Sequence, residues 1–262
     1  MIKVGFFDSG NGGLGVLKAS LKLLSGVTFF YIGDSAFHPY GEKSDDEILA
    51  RSRKLTSLLI EKECSIIVVA CNSATAVAID QLRIDYPLIT FIGIEPYLNI
   101  LSKKDFHAND KIGVIVTKRT FNSDRLRKLK ERVDQGNRLD IEYVNNLASF
   151  VERVIINKED INRIELKEIL APVLDKKWDY VILGCTHYPL IFSELEALLS
   201  AKCLDPAPYV AKQIKEVLHT KKLLTSEASG NDDPLAVSFH YMQTSQNTWG
   251  QKCLKDFLWW HS

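Results

Sequence analysis

The sequence has no excess charge of either sign, since 33 lysines and arginines balance 33 aspartates and glutamates among its 262 residues. Proteins that bind nucleic acid usually carry a basic stripe. The densest basic run, at positions 125–132, is offset by Asp124, Glu131 and Asp134, which is typical of a solvated helix face. We therefore expect no nucleic-acid partner.

The chain also lacks a long apolar run and a pattern of paired cysteines. No apolar stretch reaches the roughly 18 residues of a membrane span, and the N-terminus leads into a strand rather than a signal peptide. The five cysteines are an odd number, without the spacing of a disulfide framework or a zinc site. These absences predict a cytoplasmic protein with reduced thiols, no metal and no membrane partner.

Two of the cysteines follow matching stretches, residues 68–73 (VVACNS) and 182–187 (ILGCTH). In both, an apolar run typical of a buried parallel strand ends at a cysteine, and a polar turn opens a helix. N–H groups at a helix start carry partial positive charge, which favours a thiolate over a thiol. A free cysteine is often only a small core residue, but the repeated context favours chemistry at Cys71 and Cys185.

A glycine-rich loop follows the first predicted strand, at residues 8–15 (DSGNGGLG). Its glycines match the G-x-G-x-x-G pattern of dinucleotide-binding loops. Asp34 follows the loop at nearly the distance in sequence at which such proteins place the acidic residue that binds the ribose. Asp8 argues against a dinucleotide, because its carboxylate would lie beside the pyrophosphate with no basic residue in the loop. Asp8 is either a site residue at a strand end or a helix cap, and a nucleotide-binding α/β protein remains an alternative.

The strand pattern restarts in the second half of the chain. Residues 111–117 (KIGVIVT) echo residues 3–8 (KVGFFD), and each run precedes its cysteine by about 70 residues. A break at Glu95-Pro96 separates the halves. We also predict a continuous helix over 121–133 and a last, apolar helix that carries Trp249, Leu254, Phe257, Leu258, Trp259 and Trp260.

Two thiols, one in each half, suit a reaction in which a proton leaves one face of a carbon and returns to the other. That reaction is racemisation. A general base contributes only about 10²–10⁴-fold, so hydroxyls such as those of Ser9, Ser73 and Thr186 would also have to stabilise developing charge. A cysteine hydrolase with Cys185 as nucleophile and His187 as base is an alternative of another class.

The sequence resembles the cofactor-independent glutamate racemases over almost its whole length. The resemblance rests on residues 7–14 (FDSGNGGL), 33–34 (GD), 39–44 (PYGEKS), 70–74 (ACNSA), 93–96 (GIEP) and 183–190 (LGCTHYPL). Three residues depart from the family's usual pattern: Asn11 replaces a small apolar residue, Ser73 a threonine and Thr75 a serine.

The resemblance implies interconversion of L- and D-glutamate without a cofactor, which would supply D-glutamate for peptidoglycan synthesis. Cys71 would take the proton from D-glutamate with the help of Asp8. Cys185 would take it from L-glutamate with the help of His187 and Glu152, although a glutamate in such a local sequence is usually solvated. The implied substrate contacts are Asp8, Ser9, Pro39, Tyr40, Gly41, Cys71, Asn72, Ser73, Thr117, Thr120, Cys185, Thr186 and His187.

The fold implied is α/β, with two pseudo-symmetric flavodoxin-like domains built on parallel sheets and an active site in the cleft between them. The first domain would comprise residues 1–94 and 207–262, and the second residues 95–206. The implied partner is a small-molecule substrate, and both a monomer and a homodimer remain open. An aspartate racemase is the alternative within the family, because the two substrates differ by one methylene.

Overall fold

A computed structural model describes residues 2–223, 231 and 233–257. The strands in this part of the chain are β1 (Ile2–Asp8), β2 (Val27–Gly33), β3 (Ile66–Val69), β4 (Thr90–Gly93), β5 (Ile112–Val116), β6 (Leu139–Tyr143), β7 (Tyr180–Gly184), β8 (Lys202–Leu204), β9 (Ser238–Gln243) and β10 (Thr248–Cys253). The helices are α1 (Leu14–Leu23), α2 (Asp45–Ile60), α3 (Asn72–Asp85), α4 (Lys118–Phe121), α5 (Asp124–Val133), α6 (Leu147–Asn157), α7 (Arg163–Leu174), α8 (Phe192–Leu199) and α9 (Ala207–Thr220).

The strands form two sheets that share a topology. The first sheet has the order β10-β9-β2-β1-β3-β4, and the second has the order β6-β5-β7-β8. All neighbouring strands are parallel except β9 and β10, which are antiparallel. Four strands of each sheet therefore follow the 2-1-3-4 order of the flavodoxin type. The predicted α/β class is confirmed, and β1 and β5, whose sequences echo each other, occupy equivalent positions.

Helices cover both faces of each sheet, as buried parallel strands require. In the first sheet, Phe6 packs with α1 and α9, whereas Phe7 packs with α2 and α3. In the second sheet, Leu183 packs with α6, α7 and α8, whereas Ile182 packs with α5. Since successive side chains of a strand point to opposite faces, each sheet lies between two apolar cores.

The chain returns to the first sheet after β8. Helix α9 joins the apolar core of α1 through Ile214, and β9 pairs in parallel with β2. The first sheet is therefore built from the beginning and the end of the chain, and the second from its middle.

The prediction of one continuous helix over 121–133 is wrong. The chain forms the short helix α4, turns at Asn122, and begins α5 at Asp124. Ser123 caps α5 by accepting a hydrogen bond from the backbone N–H of Leu126 at 3.2 Å. The sequence analysis missed this cap because it followed the apolar periodicity alone, although serine is a favoured N-cap residue.

The predicted last helix is also wrong. Trp249 lies in β10, an edge strand whose register with β9 pairs Trp249 with Met242. Leu254 begins a short 3-10 helix that ends at Asp256. Leu258, Trp259 and Trp260 lie outside the described residues. An edge strand with one solvated face has a sparse apolar pattern that resembles that of an amphipathic helix.

Among the described residues, no helix combines the length and the apolar character needed to cross a membrane.

The packing of the second sheet predicts a costly glycine substitution. In Gly113→Ala, the new Cβ would lie 2.2 Å from Cδ2 of the buried Trp178 ring, so the core must shift. We expect a loss of about 1–3 kcal/mol in the free energy of unfolding, measured by urea titration. Gly250→Ala, on β10, is the matched control, because its Cβ meets nothing within 4 Å. Equal unfolding free energies for the two variants would contradict the packing described here.

Candidate active site

Both cysteines lie at the carboxyl end of the strand that comes third in its sheet in chain order. Cys71 follows β3 and is the N-cap residue of α3, and Cys185 follows β7. Both line one cavity of about 460 Å³ that receives residues from both sheets. Its lining consists of Ser9, His38, Pro39, Tyr40, Gly41, Glu42, Cys71, Asn72, Ser73, Thr117, Lys118, Arg119, Asn122, Val144, Asn145, Asn146, Ala148, Ser149, Cys185, Thr186 and His187.

The surroundings of the Cys71 thiol favour its protonated form. Its Sγ lies 3.7 Å from Oγ of Ser9. Burial raises the pKa of Cys71 to about 12, the charge of Asp8 raises it further, and the Ala74 N–H at the start of α3 lowers it only in part. The expected preference for a thiolate is therefore wrong for Cys71, because desolvation outweighs the helix N-terminus.

Asp8 accepts hydrogen bonds from both the loop that follows β1 and the loop that follows β7. It is fully buried and does not line the cavity. Its Oδ1 accepts a hydrogen bond from the Gly10 N–H at 2.8 Å, and its Oδ2 accepts one from the Thr186 hydroxyl at 3.0 Å. Burial raises the pKa of Asp8 against the opposing effects of His187 and the Gly10 N–H. Asp8 thus bonds to the residue after Cys185 while its charge acts on Cys71.

A buried histidine lies beside Cys185, and a buried glutamate lies beside that histidine. Nδ1 of His187 lies 4.0 Å from the Cys185 Sγ, and Nε2 lies 2.9 Å from Oε2 of Glu152. Burial alone would lower the pKa of His187, but Cys185, Glu152 and Asp8 together raise it well above its usual value. Burial would raise the pKa of Glu152, but His187, His38 and the Asn11 N–H together lower it. The geometry favours a glutamate–imidazolium pair beside Cys185.

All of the predicted substrate contacts line the cavity except Asp8 and Thr120. These two residues are buried, as is Glu152, a predicted catalytic residue that does not line the cavity either. The Thr117 hydroxyl caps α4 and lies 3.1 Å from the Thr120 hydroxyl. Tyr40 reaches the cavity while its own hydroxyl donates to buried Asp34 at 2.6 Å.

A hydroxyl pair links the two sheets at the cavity. Oγ of Ser73, at the start of α3, lies 3.0 Å from Oγ1 of Thr117, which follows β5. A hydroxyl can donate one hydrogen bond and accept others, so this pair is able to reorient toward a carboxylate. Ser73 therefore retains the donor that a threonine would provide.

Several cavity residues were missed by the sequence analysis. Lys118 and Arg119 follow β5, and Asn145 and Asn146 follow β6. His38 also lines the cavity, with its ring centroid 5.3 Å from that of His187. The carboxyl ends of parallel strands meet at one edge of a sheet, so applying this rule to β5 and β6 would have found the first four.

The glycine loop has no room for a pyrophosphate. A Cβ on Gly10 would lie 2.5 Å from Oε1 of Glu152, and one on Gly12 would lie 2.5 Å from Nδ1 of His187. Asp34 is fully buried and bonded to Arg51 and Thr244, so it is not free to hold a ribose. The glycines thus allow close contact between the two halves of the protein, which disfavours the nucleotide-binding alternative.

The chain matches the family model for Asp/Glu/hydantoin racemase over residues 18–214. It is 34% identical over 233 residues to the glutamate racemase of Clostridium perfringens, covering 88% of each chain. It is 35% identical over 229 residues to the glutamate racemase of Pseudomonas paraeruginosa, covering 85% of this chain and 84% of the relative.

Solved structures show the same similarity. Escherichia coli glutamate racemase in complex with L-glutamate and the activator UDP-MurNAc-Ala has a TM-score of 0.77 at 28% identity, covering 92% of this chain and 88% of that one. The Francisella tularensis glutamate racemase with D-glutamate has a TM-score of 0.75 at 27% identity, covering 93% of this chain and 88% of that one.

The protonated state of Cys71 is testable by alkylation. Because its pKa is raised to about 12, the rate of carboxamidomethylation by iodoacetamide should rise about tenfold per pH unit from pH 7 to 10 without a plateau. Mass spectrometry of the Cys71 peptide gives the rate. Asp8→Asn removes a charge that raises this pKa and should speed the reaction at pH 8. A plateau below pH 9 in the unsubstituted protein would contradict the assignment.

Proposed function

Because the chain belongs to the Asp/Glu/hydantoin racemase family, we propose that it is an isomerase that interconverts L- and D-glutamate. The observation that carries the proposal is the placement of two thiols, Cys71 and Cys185, at equivalent strand ends of two sheets around one cavity. Relatives at 34–35% identity are glutamate racemases, and structural neighbours were solved with L- or D-glutamate bound.

Two thiols allow a proton to leave and to return on opposite faces of the α-carbon. In the L-to-D direction, the Cys185 thiolate would take the α-proton, so the Cα–H bond breaks and a Cys185 S–H bond forms. The Cys71 thiol would donate its proton to the opposite face, leaving a Cys71 thiolate. The reverse direction exchanges these roles. The protonated state of Cys71 in the free site suits it to act as the acid in the L-to-D direction.

The groups behind each thiol would support this exchange of roles. His187 accepts the Cys185 proton, and Glu152 stabilises the imidazolium that results. Asp8 acts on Cys71 through its charge, since its hydrogen bonds go to Gly10 and Thr186. We propose catalytic roles for both thiols and supporting roles for the other three residues.

Hydroxyl, amide and cationic groups around the cavity would bind the two carboxylates of glutamate. Ser73 and Thr117 offer hydroxyls from the two sheets, and Asn72 offers an amide. Lys118 and Arg119 add positive charge at the end of β5. These donors would also stabilise the negative charge that develops when the α-proton leaves. Thr120 would support Thr117 from behind.

We propose two domains, residues 1–94 with 207–262 and residues 95–206, that close around the substrate. Arg119, in α4, bonds to Asp45, in α2, at 2.8 Å, so a polar contact spans the two parts beside the cavity. Closure would exclude water from the reacting carbon. We further propose a cytoplasmic enzyme that needs no cofactor and supplies D-glutamate for peptidoglycan, as a monomer or a homodimer.

The function is tested by incubating pure protein with L-glutamate and no added cofactor, followed by chiral chromatography. We expect D-glutamate to accumulate until the two enantiomers are equal, and L-aspartate to racemise far more slowly. Cys71→Ala and Cys185→Ala should each lower the rate by at least about 100-fold, because each removes one of two required proton-transfer groups. Cys203→Ala, which removes a buried thiol outside the cavity, is the control.

Preferential racemisation of L-aspartate would retain the mechanism but overturn the substrate. A hydrolase would need only one thiol. Full activity in either cavity variant would therefore contradict the two-thiol proposal.

A further inference from the structure

Asn11 lies in direct contact with the carboxylate of Glu152. The asparagine is 2% exposed and occupies the centre of the glycine loop. Its side-chain Nδ2 donates to Oε1 of Glu152 at 2.9 Å. Its backbone N lies 3.1 Å from Oε1 and 3.0 Å from Oε2. One residue therefore supplies most of the hydrogen bonds that this buried carboxylate receives outside its contact with His187.

The amide of Asn11 is held in one orientation by Tyr241. The Tyr241 hydroxyl, on β9, donates to Oδ1 of Asn11 at 2.8 Å. Because an ionised carboxylate only accepts hydrogen bonds, the NH₂ group of the amide faces Glu152, and its oxygen faces the Tyr241 hydroxyl, which donates to it. Tyr241 is itself held by stacking on Tyr31, with ring centroids 5.9 Å apart.

These contacts form a continuous series that reaches only one of the two thiols. Tyr241 bonds to Asn11, Asn11 to Glu152, Glu152 to His187, and His187 lies beside Cys185. Cys71 is not part of this series of contacts, since its sulfur bonds to Ser9.

We propose that Asn11, oriented by Tyr241, is a positioning residue that keeps Glu152 ionised and aimed at His187, and so supports proton transfer at Cys185 but not at Cys71. The proposal rests on the proposed function. A buried carboxylate that loses a donor is more easily protonated, and a neutral Glu152 would no longer favour the imidazolium.

Steady-state rates alone do not reveal a one-sided effect. The two enantiomers of glutamate have equal free energies, so the ratio of kcat to KM must be equal in both directions for every variant. The titration of His187 and the separate half-reactions of single-thiol variants do distinguish the two sides.

The first readout is the titration of His187 in the substrate-free protein, followed by NMR of ¹⁵N-labelled histidine and assigned with His187→Gln. Asn11→Leu keeps the bulk and removes the amide, and it should lower the pKa of His187. Glu152→Gln should lower it further, and Tyr241→Phe less. Asp8, Cys185 and His38 also face this ring and are unchanged in all three variants.

Tyr31→Phe is the matched control. It removes a buried phenol hydroxyl that donates to the Gly10 carbonyl of the same loop at 2.9 Å, without touching Glu152. The pKa of His187 should stay unchanged in this variant. An unchanged pKa of His187 in both Asn11→Leu and Tyr241→Phe would overturn the proposal. Tyr241→Phe removes only one oxygen, so it decides the question if Asn11→Leu fails to fold.

The second readout is exchange of the α-proton in deuterated water. In a Cys71→Ala background, Asn11→Leu should slow exchange of L-glutamate by about 10- to 100-fold, the range expected for one hydrogen bond to a charged group. In a Cys185→Ala background, exchange of D-glutamate should stay the same. Equal slowing on both sides would show a merely structural role and contradict the proposal.

The two readouts separate this proposal from the proposed function. If the unsubstituted protein exchanges neither enantiomer, the racemase function fails. The His187 titration still decides whether Asn11 controls Glu152, because it needs no substrate.

Discussion

The site depends on the close approach of the glycine loop after β1 to the second sheet. Gly10 and Gly12 lie so near Glu152 and His187 that a Cβ on either glycine would lie 2.5 Å from one of their atoms. Because these positions carry no side chain, the two sheets can face each other with their carboxyl edges in contact. The two thiols, which follow equivalent strands, are thereby brought to one cavity.

This approach buries charged groups that must then be paired. Glu152 is 3% exposed and His187 is 1% exposed, so neither charge would be stable alone. Their mutual contact, with the bonds from Asn11, compensates for the lost hydration. Asp8 is compensated by Gly10 and Thr186, one from each half. The same contacts that join the two halves of the protein therefore affect the protonation of Glu152, His187 and Asp8.

The two thiols have equivalent positions but different surroundings. Cys71 lies at the N-cap of an α-helix, next to Ser9, and its pKa is raised by burial. Cys185 precedes a 3-10 helix and has His187 beside it. Topological symmetry places the two thiols, whereas the local environment gives each its own partner. An enzyme that acts on both enantiomers needs only the placement to be symmetric.

Much of the fold could be predicted from the sequence, because buried parallel strands have continuous apolar runs and the two cysteine stretches repeat one pattern. The edge strand that carries Trp249 could not, since its pairing with β9 is a tertiary contact with a weak local signal. The helix start at Ser123 is a local cap that the sequence analysis missed. Asn11 was visible only as a departure from a resemblance. Its partners lie 141 and 230 residues away in the chain, a separation that no local pattern reports.

In the mechanism that we propose, two groups on opposite faces of the α-carbon exchange protons with the substrate. The most direct test is to follow unlabelled L-glutamate in deuterated water at low conversion and to measure deuterium at the α-carbon of each enantiomer. We expect deuterium in nearly all D-glutamate formed and almost none in the remaining L-glutamate. Protium carried over into the D-glutamate would show one base acting on both faces and would contradict the account.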